Sequence, residues 1–259
     1  SNNGNTLIIR GGRPNEVAYY VDGFSQQDPL TGNSTTLINS GAIEEVVVHS
    51  GGFNAEYGRI NSGVVNVVTK EGRDRYFGSI EGVSDFLALG SDRRDNNIYS
   101  LSLGGPLVPN FKKGSFYFSG ERKYNLDRDP SSIADDVVYS LDQKSSFAEW
   151  ILPSNSSDSW ATVGKLTFNP TPLQTLKFGG TWNREDWQQY ANTYRFNLKH
   201  APRYEDLNYS FYSTWNHSIS SRAYYEVKAN YFTTERKRGD GVYFDDLKAY
   251  ARPTGNPRF

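Results

Sequence analysis

A small α+β domain followed by transmembrane antiparallel β-barrel strands is the fold this sequence predicts, and three observations carry it. Between Gly51 and Lys70 the chain reads GGFNAEYGRINSGVVNVVTK, a glycine-punctuated loop that runs into a short apolar strand. From Tyr76 onward the apolar residues recur with period two. The links between the period-two segments alternate short and long, as the two ends of a membrane barrel require.

Composition agrees with strands that show one face to lipid. Hydrophobic residues make up only 36% of the 259, yet aromatics reach 15%, with 18 Tyr, 15 Phe and 5 Trp beside 24 Gly. Mean hydropathy is -0.67. No run of about 18 apolar residues occurs, so no transmembrane helix is expected. A net charge of -1 offers no basic excess for nucleic acid. Cysteine is absent, which removes disulfides and thiolate chemistry. Methionine is absent too, including at position 1, so the chain is expected to begin partway through a longer polypeptide or after processing.

Residues 1–72 read as the back part of a mixed α+β unit. Leu7–Ile9, Val17–Val21, Val46–His49 and Val64–Thr69 are the expected strands, Asp22-Gly23 is a turn closing the second, and Thr35–Ser40 is a candidate short helix. Val64, Val65, Val67 and Val68 form a run that a strand covered on both faces would use.

Residues 73–259 supply about seven strands of transmembrane length: Tyr76–Val83, Ile98–Gly104, Ser115–Tyr124, Trp160–Phe168, Thr175–Asn183, Leu207–Ile219 and Ala223–Thr233. In Thr175–Asn183, for example, Leu176, Phe178, Gly180 and Trp182 alternate with Lys177, Gly179, Thr181 and Asn183. The links 105–114, 169–174 and 220–222 are short; 86–97, 125–159 and 185–206 are long and rich in Asp, Asn, Ser and Arg. About seven strands leave a barrel open, and an open edge invites aggregation, so the segment is expected to be a fragment of a large barrel of about 22 strands.

The stretch Gly51–Lys70, taken with IRGGRP at Ile9–Pro14, YYVDG at Tyr19–Gly23 and AIEEVVVHSGG at Ala42–Gly52, resembles the plug domain of TonB-dependent outer-membrane transporters. The likeness is to the Oar-like, carboxypeptidase-regulatory-domain branch, in which GGF-AEYG and GVVNVVTK recur. It implies that residues 1–72 are the C-terminal part of a plug and that 73–259 begin the barrel. It also implies an integral outer-membrane protein of a Gram-negative bacterium, long loops outside, short turns and plug underside in the periplasm. Its implied partners are outer-membrane lipid, the TonB-ExbB-ExbD complex through a segment not in this chain, a surface lipoprotein and an unidentified ligand. The plug motif turns would be Gly11, Gly12, Asp22, Gly23, Gly51, Gly52, Gly58 and Gly63.

In that family an arginine corresponding to Arg10 pairs with barrel-wall carboxylates, a charge-assisted lock between plug and barrel. A second family arginine, in an LRGP motif, is replaced here by Ser50. Glu56 and Arg59 flank the AEYG turn and are its candidate substitutes, or form a local pair of little weight.

Enzymatic constellations are missing. His49, His200 and His217 are far apart, no nucleophile elbow occurs, and no catalytic residue is assigned. No cofactor is expected; calcium in the external loops, at Asp92–Asp95, Asp135-Asp136 or Asp245-Asp246, is the alternative, without EF-hand spacing. Trp160, Trp182 and Trp215 fit an aromatic girdle, whereas Trp150 and Trp187 are assigned to loops, either as candidate substrate contacts or as loop packing.

The leading functional expectation is TonB-dependent, plug-gated transport of a ligand. The rivals are an Oar-like outer-membrane protein serving secretion, adhesion or a membrane assembly, and a soluble carbohydrate-binding β domain.

Overall fold

The computed structural model describes residues 9–13, 16–28, 32, 34, 36–51, 62–85, 95–109, 113–128 and 151–249. Two sheets organise them. The first has four strands, β1 (Val17–Val21), β2 (Phe24–Ser25), β3 (Ile43–His49) and β4 (Gly63–Thr69), in the order β2-β1-β4-β3. The apolar run of β4 lies between β1, with which it is parallel from Val17↔Gly63 to Val21↔Val67, and antiparallel β3. Central position explains the run: both edges of β4 are paired, and Gly63, Val64, Val65 and Thr69 are buried.

Asp22 and Gly23 join β1 to β2 as a two-residue hairpin turn with φ of 51° and 83°. Positive φ at both central residues is the I′ geometry, which matches strand twist and favours Asp-Gly. The strand expected at Leu7–Ile9 has its first two residues outside the described set; Ile9 is irregular and packs on Val17 and Val65.

The helix expected at Thr35–Ser40 is not formed: residues 36–39 are irregular, and a single 3₁₀ turn covers Ser40–Ala42. Asn39 is the reason. Its side chain caps that turn, accepting from the Ala42 N–H at 2.6 Å, a local bond that competes with helix.

The second sheet is an antiparallel meander of seven strands: β5 (Phe77–Ser84), β6 (Asn97–Pro106), β7 (Gly114–Asn125), β8 (Ser157–Thr171), β9 (Gln174–Gln188), β10 (Arg203–Ser220) and β11 (Ala223–Gly239), each paired with the next. The strand ends Pro106 and Gly114, Thr171 and Gln174, and Ser220 and Ala223 lie at one end of the sheet, and Ser84 and Asn97, Asn125 and Ser157, and Gln188 and Arg203 at the other. Several strands run further toward the long links than alternation suggested; β9 continues past Asn183 to Gln188, and β11 past Thr233 to Gly239. Cross-strand charge pairs hold these extensions where apolar alternation stops, as with Arg203 to both carboxylate oxygens of Asp186 and Arg236 to both of Asp206.

Alternation sorts the two faces of this arc. On β10, Asp206, Asn208, Ser210, Tyr212 and Thr214 are buried, whereas Phe211 and Trp215 are exposed. The exposed face carries Ile80, Leu101, Leu103, Phe118, Leu166, Phe178, Phe211 and Tyr231. Trp160 and Trp182 bound that apolar band toward the long links, and Trp215, stacked on His217 beside Tyr225, bounds it toward the short ones. From Trp160 to Phe168 the rise along β8 is roughly 26 Å, the scale of a lipid-facing band of about 25 Å. Above Trp160 and Trp182 the same face turns to charge: Arg122 grips Asp158 at 3.0 and 2.7 Å, and Arg184 lies 3.8 Å from Glu205.

The first sheet packs against the opposite face. Ala42, Tyr117 and Val163 are buried together there, with Ile38 and Phe77 against them.

Candidate functional site

The seam between the two sheets is built around one carboxylate. Asp22 owes its place to the I′ turn, which projects its side chain past the end of β1 and toward the wall. Its Oδ1 accepts from the Thr69 N–H at 2.9 Å and from Lys165 Nζ at 2.9 Å; its Oδ2 accepts from Thr69 Oγ1 at 2.7 Å and from the Tyr212 hydroxyl at 2.6 Å. Two of these donors belong to the first sheet and two to the wall. The carboxylate is thus saturated, and its side chain is 9% exposed against 3% for that of Lys165.

Lys165 completes its coordination on the first sheet and the junction after it. Its ammonium donates to the Thr69 carbonyl at 2.9 Å and lies 3.6 Å from Glu71 Oε1. Lys177, one strand over, reaches the same Glu71 oxygen at 2.7 Å. Two wall ammoniums therefore meet two carboxylates from 22 and 71.

Packing holds the geometry. The Tyr212 ring stacks on Phe24 at 4.8 Å and lies across Gly179, its partner on β9. A Cβ on Gly179 would overlap the Tyr212 ring and hydroxyl, so a residue with no side chain is what lets the phenol reach Asp22.

Neutral bonds extend the seam. Asn39 donates to Ser119 Oγ at 2.8 Å, Tyr117 donates to the Gly41 carbonyl at 3.0 Å, and Asn183 donates to the Leu37 carbonyl. Each joins the first unit to a residue of the wall.

A buried ion pair need not stabilise much in net terms, because desolvation opposes it. Removing one partner is different: the stranded charge costs about 3–5 kcal/mol.

Of the residues that the resemblance implies as a lock, only Arg10 is among the described ones. Arg10 is exposed, with φ of 52°, and its guanidinium lies over Gly51, where a Cβ would stand 2.7 Å from Nη1. Among the described residues no carboxylate pairs with it. Glu56, Arg59, Gly52 and Gly58 lie outside the described residues. Gly11 has φ of 73°; Gly12 lies against Ser62, and Gly63 against Ile9.

Trp187 requires a correction. It is not in a loop but near the end of β9, and only 3% exposed. Its ring is stacked on Tyr204 at 4.1 Å, covered by the Arg128 guanidinium at 4.0 Å, and donates from its indole N–H to Asp206 at 3.0 Å. A tryptophan so enclosed is a packing element of the long-link end. Trp150 lies outside the described residues.

Of the acidic stretches, Asp92 and Asp135-Asp136 are also outside. Among the described residues no three carboxylates or imidazoles converge as metal ligands. His200 is bonded to Asp240 at 2.8 Å and His217 to Tyr225 at 2.9 Å.

Sequence reasoning missed Asp22 as a seam residue because its turn role already explained it. It missed Lys165 and Lys177 because a polar residue at every second position is what either side of such a strand shows.

Comparisons with known proteins agree with this architecture. The family model described as TonB-dependent Receptor Plug Domain matches residues 1–65. TonB-dependent transporter Oar of Myxococcus xanthus is 33% identical over 130 residues, covering 44% of this chain and 12% of that protein. The siderophore receptor PirA of Acinetobacter baumannii superposes with a TM-score of 0.65 at 20% identity, over 89% of this chain and 34% of its own. The ferric enterobactin receptor PfeA of Pseudomonas aeruginosa gives 0.62 at 18%, over 87% and 34%. This chain therefore spans about a third of the length of those receptors, and the likeness to them is one of fold.

Proposed function

We propose that this chain, a TonB-dependent receptor plug domain joined to the opening strands of an outer-membrane β-barrel, belongs to a transporter whose ligand passes when the plug is pulled from the wall. The observation that carries the reading is the buried seam in which Asp22 and Glu71 meet Lys165, Lys177 and Tyr212. A plug held by a few directional, charge-assisted bonds stays closed against thermal motion, yet it releases cooperatively under force, since each broken bond weakens its neighbours.

In this reading TonB, with ExbB and ExbD, acts through a segment outside this chain, and the long links face the exterior. The Tyr204, Trp187 and Arg236 cluster supports those links near the mouth. A calcium ion in the outer loops and an accessory surface lipoprotein belong to the same proposal. The test uses Thr69, buried in the seam at 1% exposure. In cells of the native host, a Thr69→Cys variant of the full-length protein should react with a small maleimide when TonB is present and stay protected when TonB is deleted. Equal labelling in both backgrounds would overturn energised displacement.

A second reading is an Oar-like outer-membrane protein serving secretion, adhesion or a membrane assembly; the 33% identity to TonB-dependent transporter Oar is compatible with either. Deleting the gene and comparing surface and secreted proteins distinguishes it from uptake.

A further inference from the structure

Beyond gating, the wall lysines bear on what the opened passage admits, an inference that rests on the displacement proposed above. Lys165 has no carboxylate of its own strand or of its neighbours as partner among the described residues; its contacts are Asp22, the Thr69 carbonyl and Glu71. Asp22 and Thr69 belong to the plug sheet. Glu71 lies in the junction between β4 and β5 and stays tethered to the wall. Once the sheet leaves, Lys165 and Lys177 share the single carboxylate of Glu71.

The neighbouring inward positions do not restore the balance. Toward the short links, the inward face of β8 to β11 carries Lys165, Lys177, Lys228 and Glu226, and Glu226 is already paired with Lys228 at 2.8 Å. The remaining inward side chains nearby, Tyr117, Thr167, Tyr212 and Thr214, are neutral. With the plug seated, Asp22 supplies the missing negative charge; with the plug gone, nothing on this part of the wall does. We infer that Lys165 and Lys177 then form a cationic face of the open passage and select for cargo that presents carboxylate, phosphate or another anionic group. An ammonium in a narrow, partly dehydrated lumen attracts anions far more strongly than one on an open surface, and rings or rows of Lys are what anion-passing pores use.

The same residue thus has two partners in turn. A cargo anion replaces Asp22 on Lys165, which offsets the cost of uncovering that charge and couples passage to plug displacement.

The test is the ion selectivity of the full-length protein in planar bilayers, with the plug loosened by urea and a KCl gradient across the membrane. The unaltered protein should give a reversal potential displaced toward chloride relative to Lys165→Gln/Lys177→Gln, whose chloride-to-potassium permeability ratio should fall by about twofold or more. Lys177→Gln alone, at a half-exposed position, should shift it in the same direction if the double variant assembles poorly. Asp22→Asn should leave the open-state ratio unchanged, because its carboxylate departs with the plug. Channels that open in urea with one ratio in all four proteins would overturn the inference while leaving the gate intact. Failure of urea to open any channel would overturn the plugged-barrel reading beneath it.

Discussion

Lys165 Nζ lies 2.9 Å from Asp22 Oδ1, although 143 residues separate the two in the chain. The contact joins the tip of the β1–β2 hairpin to the middle of the wall, and it places the anion on the plug and the cation on the barrel. The resemblance implies a different contact, between Arg10 of the plug and barrel carboxylates outside this chain.

Replacing Asp22 by Asn should therefore loosen the plug. It leaves the buried Lys165 ammonium only Glu71 at 3.6 Å, a carboxylate shared with Lys177, a cost toward the lower end of the about 3–5 kcal/mol of a stranded buried charge, whereas Glu44→Gln breaks only the exposed 3.9 Å pair with Arg73, worth about 0–1 kcal/mol. In planar bilayers the full-length Asp22→Asn protein should show frequent leak openings and Glu44→Gln few. Indistinguishable leak would refute the seam as the lock.

Tyr212→Phe keeps the ring on Phe24 but removes one bond to a carboxylate, a loss of about 1.5–3 kcal/mol. Leak should lie between that of the unaltered protein and that of Asp22→Asn. Gly179→Ala should resemble or exceed Tyr212→Phe, because a Cβ there would push the phenol off its place. A silent Gly179→Ala would mean that the close approach does not position Tyr212.

The tryptophans give an optical check of which face meets lipid. Single-tryptophan versions reconstituted with brominated acyl chains should be strongly quenched at Trp160, Trp182 and Trp215 and little at Trp187, which is enclosed by Tyr204 and Arg128. Strong quenching of Trp187 would reverse the two faces of the arc.

Orientation can be read from labelling, since the chain has no cysteine. Thiols placed at Ser156 or Asn192, in long links, should react with an impermeant maleimide on intact cells; thiols at Lys113 or Ser221, in short links, should react only after the outer membrane is broken. Labelling of Lys113→Cys on intact cells would invert every link assignment.

Acid should loosen one loop clasp at the long-link end. Burial pushes the Asp240 carboxyl up, but the backbone N–H groups of Tyr243 and Val242 and the His200 ring together outweigh it and hold the group below the usual Asp range. A depressed folded value means that the stabilisation is present above the unfolded value, about 3.9, and is lost as pH falls through the folded one. Hydrogen exchange around 198–201 and 240–244, once corrected for intrinsic rate, should thus rise below about pH 4. Asp240→Asn should abolish that rise.

Much of this was legible in the residues themselves. Period-two alternation in β6 to β11, the Asp22-Gly23 turn and the valine run of β4 are local signals: a pleated strand with one wet face, an I′ hairpin and a strand covered on both sides each impose a pattern on neighbouring residues. The extensions of β9 and β11 were not legible, because charge pairs between strands leave no period in either one. Asn39 overrode a helical expectation for a similar reason, by bonding to its own turn and to Ser119 across the seam.

The sequence by itself determined that strands alternate from Tyr76 onward, which face of each is apolar and which motif set the first unit carries, since those follow from chemistry within a few residues. Only the tertiary structure decided that Asp22 faces Lys165, that Glu71 serves two lysines and that Trp187 is enclosed. Those pairings depend on how far each strand is shifted against the next and on where the hairpin tip meets the wall, quantities that accumulate over the whole arc and appear in no single segment.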